Sequence, residues 1–165
     1  MDQLWSPWRY SYVSNADSVP PDKDSCLFCR VAGGSDDAGN LLVMRAERNF
    51  ILLNRYPYTA GHLMIAPYDH VATLEEAGTA TLEEMMRLAQ RSEAALRAVY
   101  RPGGMNFGFN IGACAGAGIA GHIHMHGLPR WAGDTSFITT IGETRVLPED
   151  LETTYRKLAA ALKGL

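Results

Sequence analysis

Three histidines, His122, His124 and His126, stand at strict two-residue spacing in the C-terminal half of the chain. A period of two is the side-chain period of a β-strand, so an extended backbone places all three imidazoles on one face. The intervening Ile123 and Met125 then face the opposite side, which we expect to be buried. Three histidines on one face make a site for a nucleophile, a phosphate ligand or a metal ion. The interleaved apolar residues argue against a purification tag.

The length and the charge of the chain limit the classes of protein to which it can belong. Its 165 residues predict a single domain over 1–165. The formal net charge is −3, which argues against a nucleic-acid partner but leaves a small phosphate ester open. No apolar run of about 18 residues and no N-terminal signal pattern is present, so we expect a cytoplasmic protein without a membrane span. Three cysteines, an odd number, do not suggest a disulfide framework.

Local patterns predict the order of the secondary-structure elements. The aromatic-rich residues 1–24 predict an extended arm that docks through its aromatic side chains. Apolar runs predict strands, the first two forming a hairpin, at 41–44, 50–54, 62–66, 105–111 and the histidine segment. A 3.6-residue stripe predicts a helix within 74–100, clearest from Thr81, and a last helix runs from about Pro148 to Leu162. Strands, helix, strands and helix in this order favour an antiparallel α+β sheet.

The glycine-rich loop at 112–121 contains a segment, 116–121, that formally fits the dinucleotide-binding fingerprint. That fingerprint requires a helix to open on the glycines, whereas a β-period segment follows here, so we reject a dinucleotide site. Glycine still lets backbone amides approach phosphate oxygens, and a phosphate cradle is therefore favoured over a merely flexible loop. Cys114, within this loop, is expected to be a small packed residue and not a nucleophile.

Cys26 and Cys29 have the spacing of half a tetrahedral zinc site. Zinc needs two more ligands, and the available nitrogen donors are His62, His70, His122, His124 and His126. Two unligated thiols and a redox pair are the alternatives, although a redox pair should open a helix in a βαβ unit, which the pattern lacks.

Asn54 and Asn110 each end a predicted strand. Asparagine at a strand end commonly serves as a turn or cap residue. Beside a histidine strand and a glycine loop, contact with a ribose or a phosphate is an equal alternative.

Taken together, these motifs resemble those of the histidine triad family of nucleotide hydrolases and transferases. The shared motifs are Cys-x-x-Cys at 26–29, Asn-Arg at 54–55, Ala-Gly-His-Leu-Met-Ile-Ala-Pro at 60–67, His70, Asn-x-Gly at 110–112 and the triad through Pro-Arg at 129–130. The resemblance covers most of the chain, and the triad is highly specific. It implies a five-stranded antiparallel sheet with flanking helices that dimerises into a ten-stranded sheet.

The resemblance also implies roles for the triad. His124 would attack the α-phosphate of a nucleotide, with His122 and His126 in support. The intermediate is a nucleoside monophosphate attached to the imidazole. We expect one ring nitrogen of His124 to donate to a backbone carbonyl, because the other nitrogen must carry the lone pair.

Further residues are implied for the substrate and for a metal. By resemblance, Asn54 holds the ribose and Asn110 helps to place the phosphates, while the amides around Gly116 and Gly118 would stabilise the phosphoryl charge. Ile51, Leu53 and neighbouring apolar residues would form a pocket for a purine, with adenine expected from the resemblance. Zinc-containing members imply a structural zinc ion on four ligands: Cys26, Cys29, His70 and His122.

One position departs from the family pattern and leaves the acceptor open. Many members carry Gln four residues before the triad, where this chain has Gly118. The loop resembles a bacterial subgroup linked to diadenosine polyphosphates, some of which use inorganic phosphate instead of water. The predicted ligands are therefore an adenine nucleotide or dinucleoside polyphosphate, with phosphate as a candidate second substrate.

Three other functions remain as alternatives. One is a nucleotide-binding sensor or scaffold with little turnover, and another is a hydrolase of nucleoside phosphoramidates. A metal-dependent hydrolase with the three histidines on one ion is disfavoured, because the outer two α-carbons on a strand lie about 13 Å apart.

Overall fold

The computed structural model describes residues 23, 25–142 and 146–164, so nearly all of the predicted arm at 1–24 lies outside the described residues. The elements in chain order are α1 (Leu27–Gly33), β1 (Leu42–Arg45), β2 (Asn49–Leu53), β3 (Leu63–Pro67), α2 (Thr79–Tyr100), β4 (Gly104–Phe109), a 3₁₀ turn (Ala113–Ala115), β5 (Met125–Arg130), α3 (Phe137–Thr140) and α4 (Leu151–Lys163). In the described part of the chain, no helix is long and apolar enough to cross a membrane.

The five strands form one sheet in the order β1-β2-β3-β5-β4, and every neighbouring pair is antiparallel. The predicted α+β class, the five-stranded antiparallel sheet and the hairpin of β1 with β2 are confirmed. Strand β5, which contains His126, lies between β3 and β4. His126 is therefore flanked by strands from both halves of the chain.

Alternation along β2 divides the core between the two faces of the sheet. Ile51 and Leu53 pack with apolar side chains of α2 and α4. Phe50 and Leu52 pack on the opposite face, with Phe28 of α1. All four β2 side chains are buried, because both faces of this strand are covered.

The turn between β1 and β2 is held by Glu84 of α2. Its carboxylate accepts hydrogen bonds from the backbone N–H groups of Glu47 (3.2 Å) and Arg48 (2.9 Å) and from Nδ2 of Asn49 (2.8 Å). Burial raises the pKa of this carboxyl, but the hydrogen bonds outweigh burial and hold the pKa below its ordinary value. A charged carboxylate thus fixes the start of β2 on α2.

Several boundaries differ from the sequence prediction. Helix α1, which contains Cys29, was not predicted, because its seven residues are too few to show a helical period. Helix α2 begins at Thr79. Helix α4 begins at Leu151 and not near Pro148, because the side chain of Asp150 caps it by accepting from the N–H of Thr153 at 2.7 Å.

Candidate active site

The three histidines do not share one regular strand. His122 lies in a bend and His124 in irregular backbone before β5, and only His126 lies within β5, where it pairs with Met64 and Gly108. A hydrogen bond from the N–H of Ile123 to the carbonyl of Val71 (2.7 Å) ties this segment to the residues that follow β3. The prediction that Ile123 and Met125 are buried is confirmed.

The geometry at His124 determines which of its ring nitrogens is available. Its Nδ1 lies 2.8 Å from the backbone carbonyl oxygen of His122. A carbonyl can only accept, so Nδ1 carries the proton and Nε2 carries the lone pair. The predicted donation to a backbone carbonyl is confirmed. His124 is 4% exposed and lines a cavity, so the ring that carries this lone pair is almost completely buried at the cavity wall.

The cavity beside His124 has a volume of about 560 Å³. Its walls come from α1, the residues before β1, the end of β2 with the following turn, and the glycine loop. The lining residues are Leu27, Phe28, Arg30, Val31, Asn40, Leu41, Leu52, Leu53, Asn54, Arg55, Tyr56, Tyr58, Met64, Gly116, Gly118, Ile119, His124 and His126. An apolar interior with a few polar groups suits a nucleoside.

His126 is oriented by His62, a residue that the sequence suggested only as one of several zinc donors. The N–H of Tyr58 donates to Nδ1 of His62 at 3.1 Å, so the proton of His62 is on Nε2. That Nε2 lies 2.9 Å from Nδ1 of His126 and donates to it. The proton of neutral His126 is therefore on Nε2. The Nε2 of His126 is thus a hydrogen-bond donor, whereas the Nε2 of His124 carries a lone pair.

Both cavity histidines are held in their neutral forms. Burial and, to a smaller extent, the neighbouring His124 together lower the pKa of His126 to about 4. Burial also lowers the pKa of His124, while the bond to the carbonyl of His122 opposes this effect.

The turn that delivers His62 requires a glycine. Gly61 has φ = +78°, a left-handed conformation that favours glycine. A Cβ at this position would also lie 3.0 Å from atoms of both Leu96 and Tyr100. Gly61 thus allows β3 to begin close against α2.

Cys26, Cys29, His70 and His122 form a second cluster behind the triad, with ligand atoms within 4.8 Å of one another. Nδ1 of His122 lies 3.4 Å from Sγ of Cys26 and 3.6 Å from Sγ of Cys29, and Nδ1 of His70 lies 3.3 Å from Sγ of Cys29. Tetrahedral zinc with bonds of about 2.3 Å to sulfur and about 2.0 Å to nitrogen separates such atoms by about 3.6 Å. The four residues therefore fit a zinc ion.

The hydrogen bond on the far side of His122 prepares it as a ligand. Its Nε2 lies 2.9 Å from the carbonyl oxygen of Pro67 and donates to it. Nδ1 then carries the lone pair and faces the two sulfurs, as a metal ligand requires. Within the described residues, this is the only group of three or more such ligands, and the three triad histidines do not form one.

The predicted substrate residues divide into those at the cavity and those away from it. Leu53, Asn54, Gly116 and Gly118 line it. Ile51 does not: its side chain packs in the core with α2 and α4, and Leu52, on the opposite face of β2, lines the cavity together with Leu53 at the end of the strand. Asn110 follows β4 and is not among the lining residues.

Asn54 holds a turn at the border of the cavity. Its Oδ1 accepts from the N–H of Tyr56 at 2.9 Å, the geometry of an Asx turn. The side chain also lines the cavity. The turn therefore fixes a polar side chain at the rim.

The glycine loop offers fewer amides to a phosphate than the sequence suggested. The N–H of Gly116 donates to the carbonyl of Ala113 at 2.9 Å, and the N–H of Ala117 donates to that of Gly112 at 3.3 Å. Across the described ranges, the N–H of Gly118 has no intramolecular acceptor. Cys114 is exposed and not packed, because it lies on the outer side of the 3₁₀ turn.

Comparison with known proteins gives consistent matches. Residues 37–133 match the profile of the HIT domain. The chain is 39% identical over 164 residues to a protein of Mycobacterium tuberculosis named AP-4-A phosphorylase, covering 96% of this chain and 83% of that protein.

Solved structures agree with this match. A Zn-bound histidine triad family protein from Mycobacterium smegmatis has a TM-score of 0.69 at 30% identity, over 86% of this chain and 96% of that one. A histidine triad nucleotide-binding protein from Sulfolobus tokodaii has a TM-score of 0.66 at 25% identity, over 85% and 93% of the two chains.

Proposed function

Because this chain belongs to the histidine triad (HIT) family, we propose that it cleaves dinucleoside polyphosphates, with diadenosine tetraphosphate as substrate, through a nucleotidyl intermediate on His124. The observation that carries the proposal is the fixed tautomer of His124, whose Nε2 lone pair belongs to a ring that lines the cavity. The similarity to a protein named AP-4-A phosphorylase supports this choice of substrate.

The first step is an attack by Nε2 of His124 on the α-phosphorus. A nitrogen–phosphorus bond forms, and the bond from the α-phosphorus to the bridging oxygen breaks, releasing ATP from diadenosine tetraphosphate. The imidazole becomes positively charged, which strengthens the hydrogen bond from Nδ1 to the carbonyl of His122. The Nε2–H of His126 is placed to stabilise charge on the phosphate oxygens.

The cysteine-containing cluster has a structural part in this proposal. We assign Cys26, Cys29, His70 and His122 as the ligands of one zinc ion. When bound, the ion supplies cross-links between α1, the segment after β3 and the triad segment. It would thereby hold one wall of the cavity against the sheet.

The second step is the transfer of the nucleotidyl group to an acceptor, which we propose is inorganic phosphate. A Cβ at Gly118 would meet no heavy atom within 4 Å, so space exists where many family members carry glutamine. The N–H of Gly118 and the guanidinium groups of Arg30 and Arg55 at the cavity wall suit an anion. Attack by phosphate breaks the nitrogen–phosphorus bond, yields ADP and returns neutral His124.

We predict that diadenosine tetraphosphate with excess ³²P-labelled phosphate gives ATP and ADP, with the label in the β-phosphate of ADP. The rate should rise with phosphate concentration until the acceptor site is saturated. A parallel reaction without phosphate is the control. AMP and ATP formed at a rate indifferent to phosphate would identify water as the acceptor, and tight binding without turnover would favour a nucleotide-binding role.

We predict that kcat/KM stays nearly constant from about pH 7.5 to about pH 5.5. A histidine of ordinary pKa, about 6.5, would already be half protonated within this range. The pKa of His126 lies instead at about 4, so its neutral form and its bond from His62 persist until the pH falls toward that value. Circular dichroism at each pH distinguishes a loss of activity caused by protonation of His126 from one caused by unfolding. A fall of kcat/KM to half its value near pH 6.5 would contradict the assignment of a neutral His126 in this pH range.

We further propose a homodimer in which two five-stranded sheets join into a ten-stranded sheet. Strand β4 is at one edge of the sheet and alternates between half-buried and exposed residues. An edge strand with unpaired backbone groups favours pairing with a second copy. We predict twice the 18.1-kDa chain mass in light scattering at micromolar concentration. A mass of one chain would exclude it.

A further inference from the structure

Phe28 stands between the two cysteines of the metal-ligating motif and contacts two of the three triad rings. It lies on α1 and is 1% exposed. Its ring centroid is 5.1 Å from that of His122 and 4.7 Å from that of His124, at interplanar angles of 42° and 37°. One aromatic ring therefore packs against both a residue of the cysteine cluster and the attacking histidine.

His124 needs such a contact, because its hydrogen bond constrains only one edge of the ring. The bond from Nδ1 to the carbonyl of His122 fixes the tautomer and the distance at that edge. A single hydrogen bond leaves the ring free to tilt about the bonded edge, which moves Nε2 sideways. The ring of Phe28 packs against the His124 ring and blocks this tilt in one direction. Attack geometry depends on such orientation within about 10–20°.

Two sets of contacts connect the cysteine cluster to His124, one through the backbone and one through side-chain packing. The backbone route runs through His122, whose Nδ1 faces the two sulfurs and whose carbonyl holds Nδ1 of His124. The packing route runs through Phe28, which is adjacent in the helix to Cys29 and two residues from Cys26. A displacement of the α1 backbone at Cys29 would therefore also displace Phe28.

We propose that Phe28 is a positioning residue for the nucleophile. Through Phe28, the arrangement of the Cys26-Cys29-His70-His122 cluster determines the orientation of the His124 ring. The proposal rests on the proposed function in one respect, that His124 is the attacking group. It goes beyond a structural role for the metal-ligating cluster, because it makes the orientation of His124 depend on the cluster's geometry.

Phe28 also lines the cavity, so a simple contact with the nucleoside must be separated from positioning. Loss of a nucleoside contact raises KM and leaves kcat unchanged. Loss of ring orientation lowers kcat, because the substrate binds but the nitrogen is misplaced. For Phe28→Leu we expect kcat to fall by about ten- to a hundredfold, with KM within about threefold of wild type.

Phe50→Leu is the matched control. Phe50 is fully buried in the same apolar cluster as Phe28, but its ring packs against Tyr68 at 5.3 Å and it does not line the cavity. The two substitutions remove the same atoms from one cluster. We expect Phe50→Leu to lower thermal stability to a similar degree and to keep kcat within about twofold.

A second measurement does not depend on turnover. In the zinc-loaded protein without substrate, ¹⁵N–¹H correlation spectra of the histidine rings report the environment of each imidazole. We expect the His124 signals to shift or broaden in Phe28→Leu and to match wild type in Phe50→Leu. Exchanging zinc for the larger cadmium ion in the wild-type protein should shift His124 as well as the ligands His70 and His122. If Phe28→Leu does not fold, Phe28→Met, which removes the ring and keeps most of the side-chain volume, replaces it in the same spectra, because cadmium alone also acts on His124 through the carbonyl of His122.

Two results would overturn the proposal: a Phe28→Leu variant with raised KM and unchanged kcat, or His124 signals that respond neither to this substitution nor to cadmium while the signals of His70 and His122 do. An inactive wild-type protein would overturn the proposed function, and the ring spectra would still decide whether Phe28 orients His124.

Discussion

Replacing His124 with alanine is expected to lower the turnover of diadenosine tetraphosphate by at least about a thousandfold while the chain folds normally. The substitution removes the nitrogen that bonds to phosphorus. No neighbouring ring can replace it, because the donors at Tyr58 and His62 place the proton of His126 on Nε2. Steady-state rates at saturating substrate, with circular dichroism to verify folding, measure the effect.

His126→Ala provides the comparison for this prediction. It removes a hydrogen-bond donor to the phosphate oxygens and leaves the attacking nitrogen in place, so we expect a milder loss of turnover than in His124→Ala. Near wild-type turnover in His124→Ala would disprove the nucleotidyl-histidine mechanism. An equal loss in both variants would show that His126 contributes more than a hydrogen bond.

Removing the metal is expected to have the largest effect on stability. We predict one tightly bound zinc ion per chain, and we expect chelation or Cys26→Ser to lower Tm by at least about 10 °C, which corresponds to several kcal/mol for a domain of this size. Cys26 is fully buried, and the cluster joins residues separated by up to 96 positions in the chain. Metal analysis measures the zinc content, thiol titration measures the protection of Cys26 and Cys29, and thermal denaturation measures the change in Tm.

Cys114→Ser is the control for the metal prediction. Cys114 is exposed and is not part of the cluster, so the variant should keep its zinc and change the free energy of unfolding by no more than about 0.5 kcal/mol. Purified wild-type protein without metal, in which Cys26 and Cys29 both react freely with a thiol reagent, would contradict the zinc site.

Strand periodicity predicted an antiparallel α+β sheet, and the family resemblance supplied the number of strands and the four residues of the cysteine cluster. The antiparallel five-stranded sheet, the burial of Ile123 and Met125, and the convergence of Cys26 and Cys29 with two histidines follow from these patterns and from the family resemblance. Periodicity was less informative where elements are short or irregular. Helix α1 spans only about two turns, and the alternation along β2 did not indicate that Ile51 packs in the core while Leu52 and Leu53 line the cavity.

The sequence by itself determined which chemical groups this protein has: three histidines at strand spacing, a cysteine pair and a glycine loop. Only the tertiary structure decided the state of each group. The proton positions of His124 and His126 depend on the carbonyl of His122 and on His62, and His62 lies 64 residues from its partner. Phe28 reaches His124 because α1 packs on the sheet face opposite α2. Local periodicity carries no information on such contacts, because strand pairing and helix packing join segments that are distant in the chain.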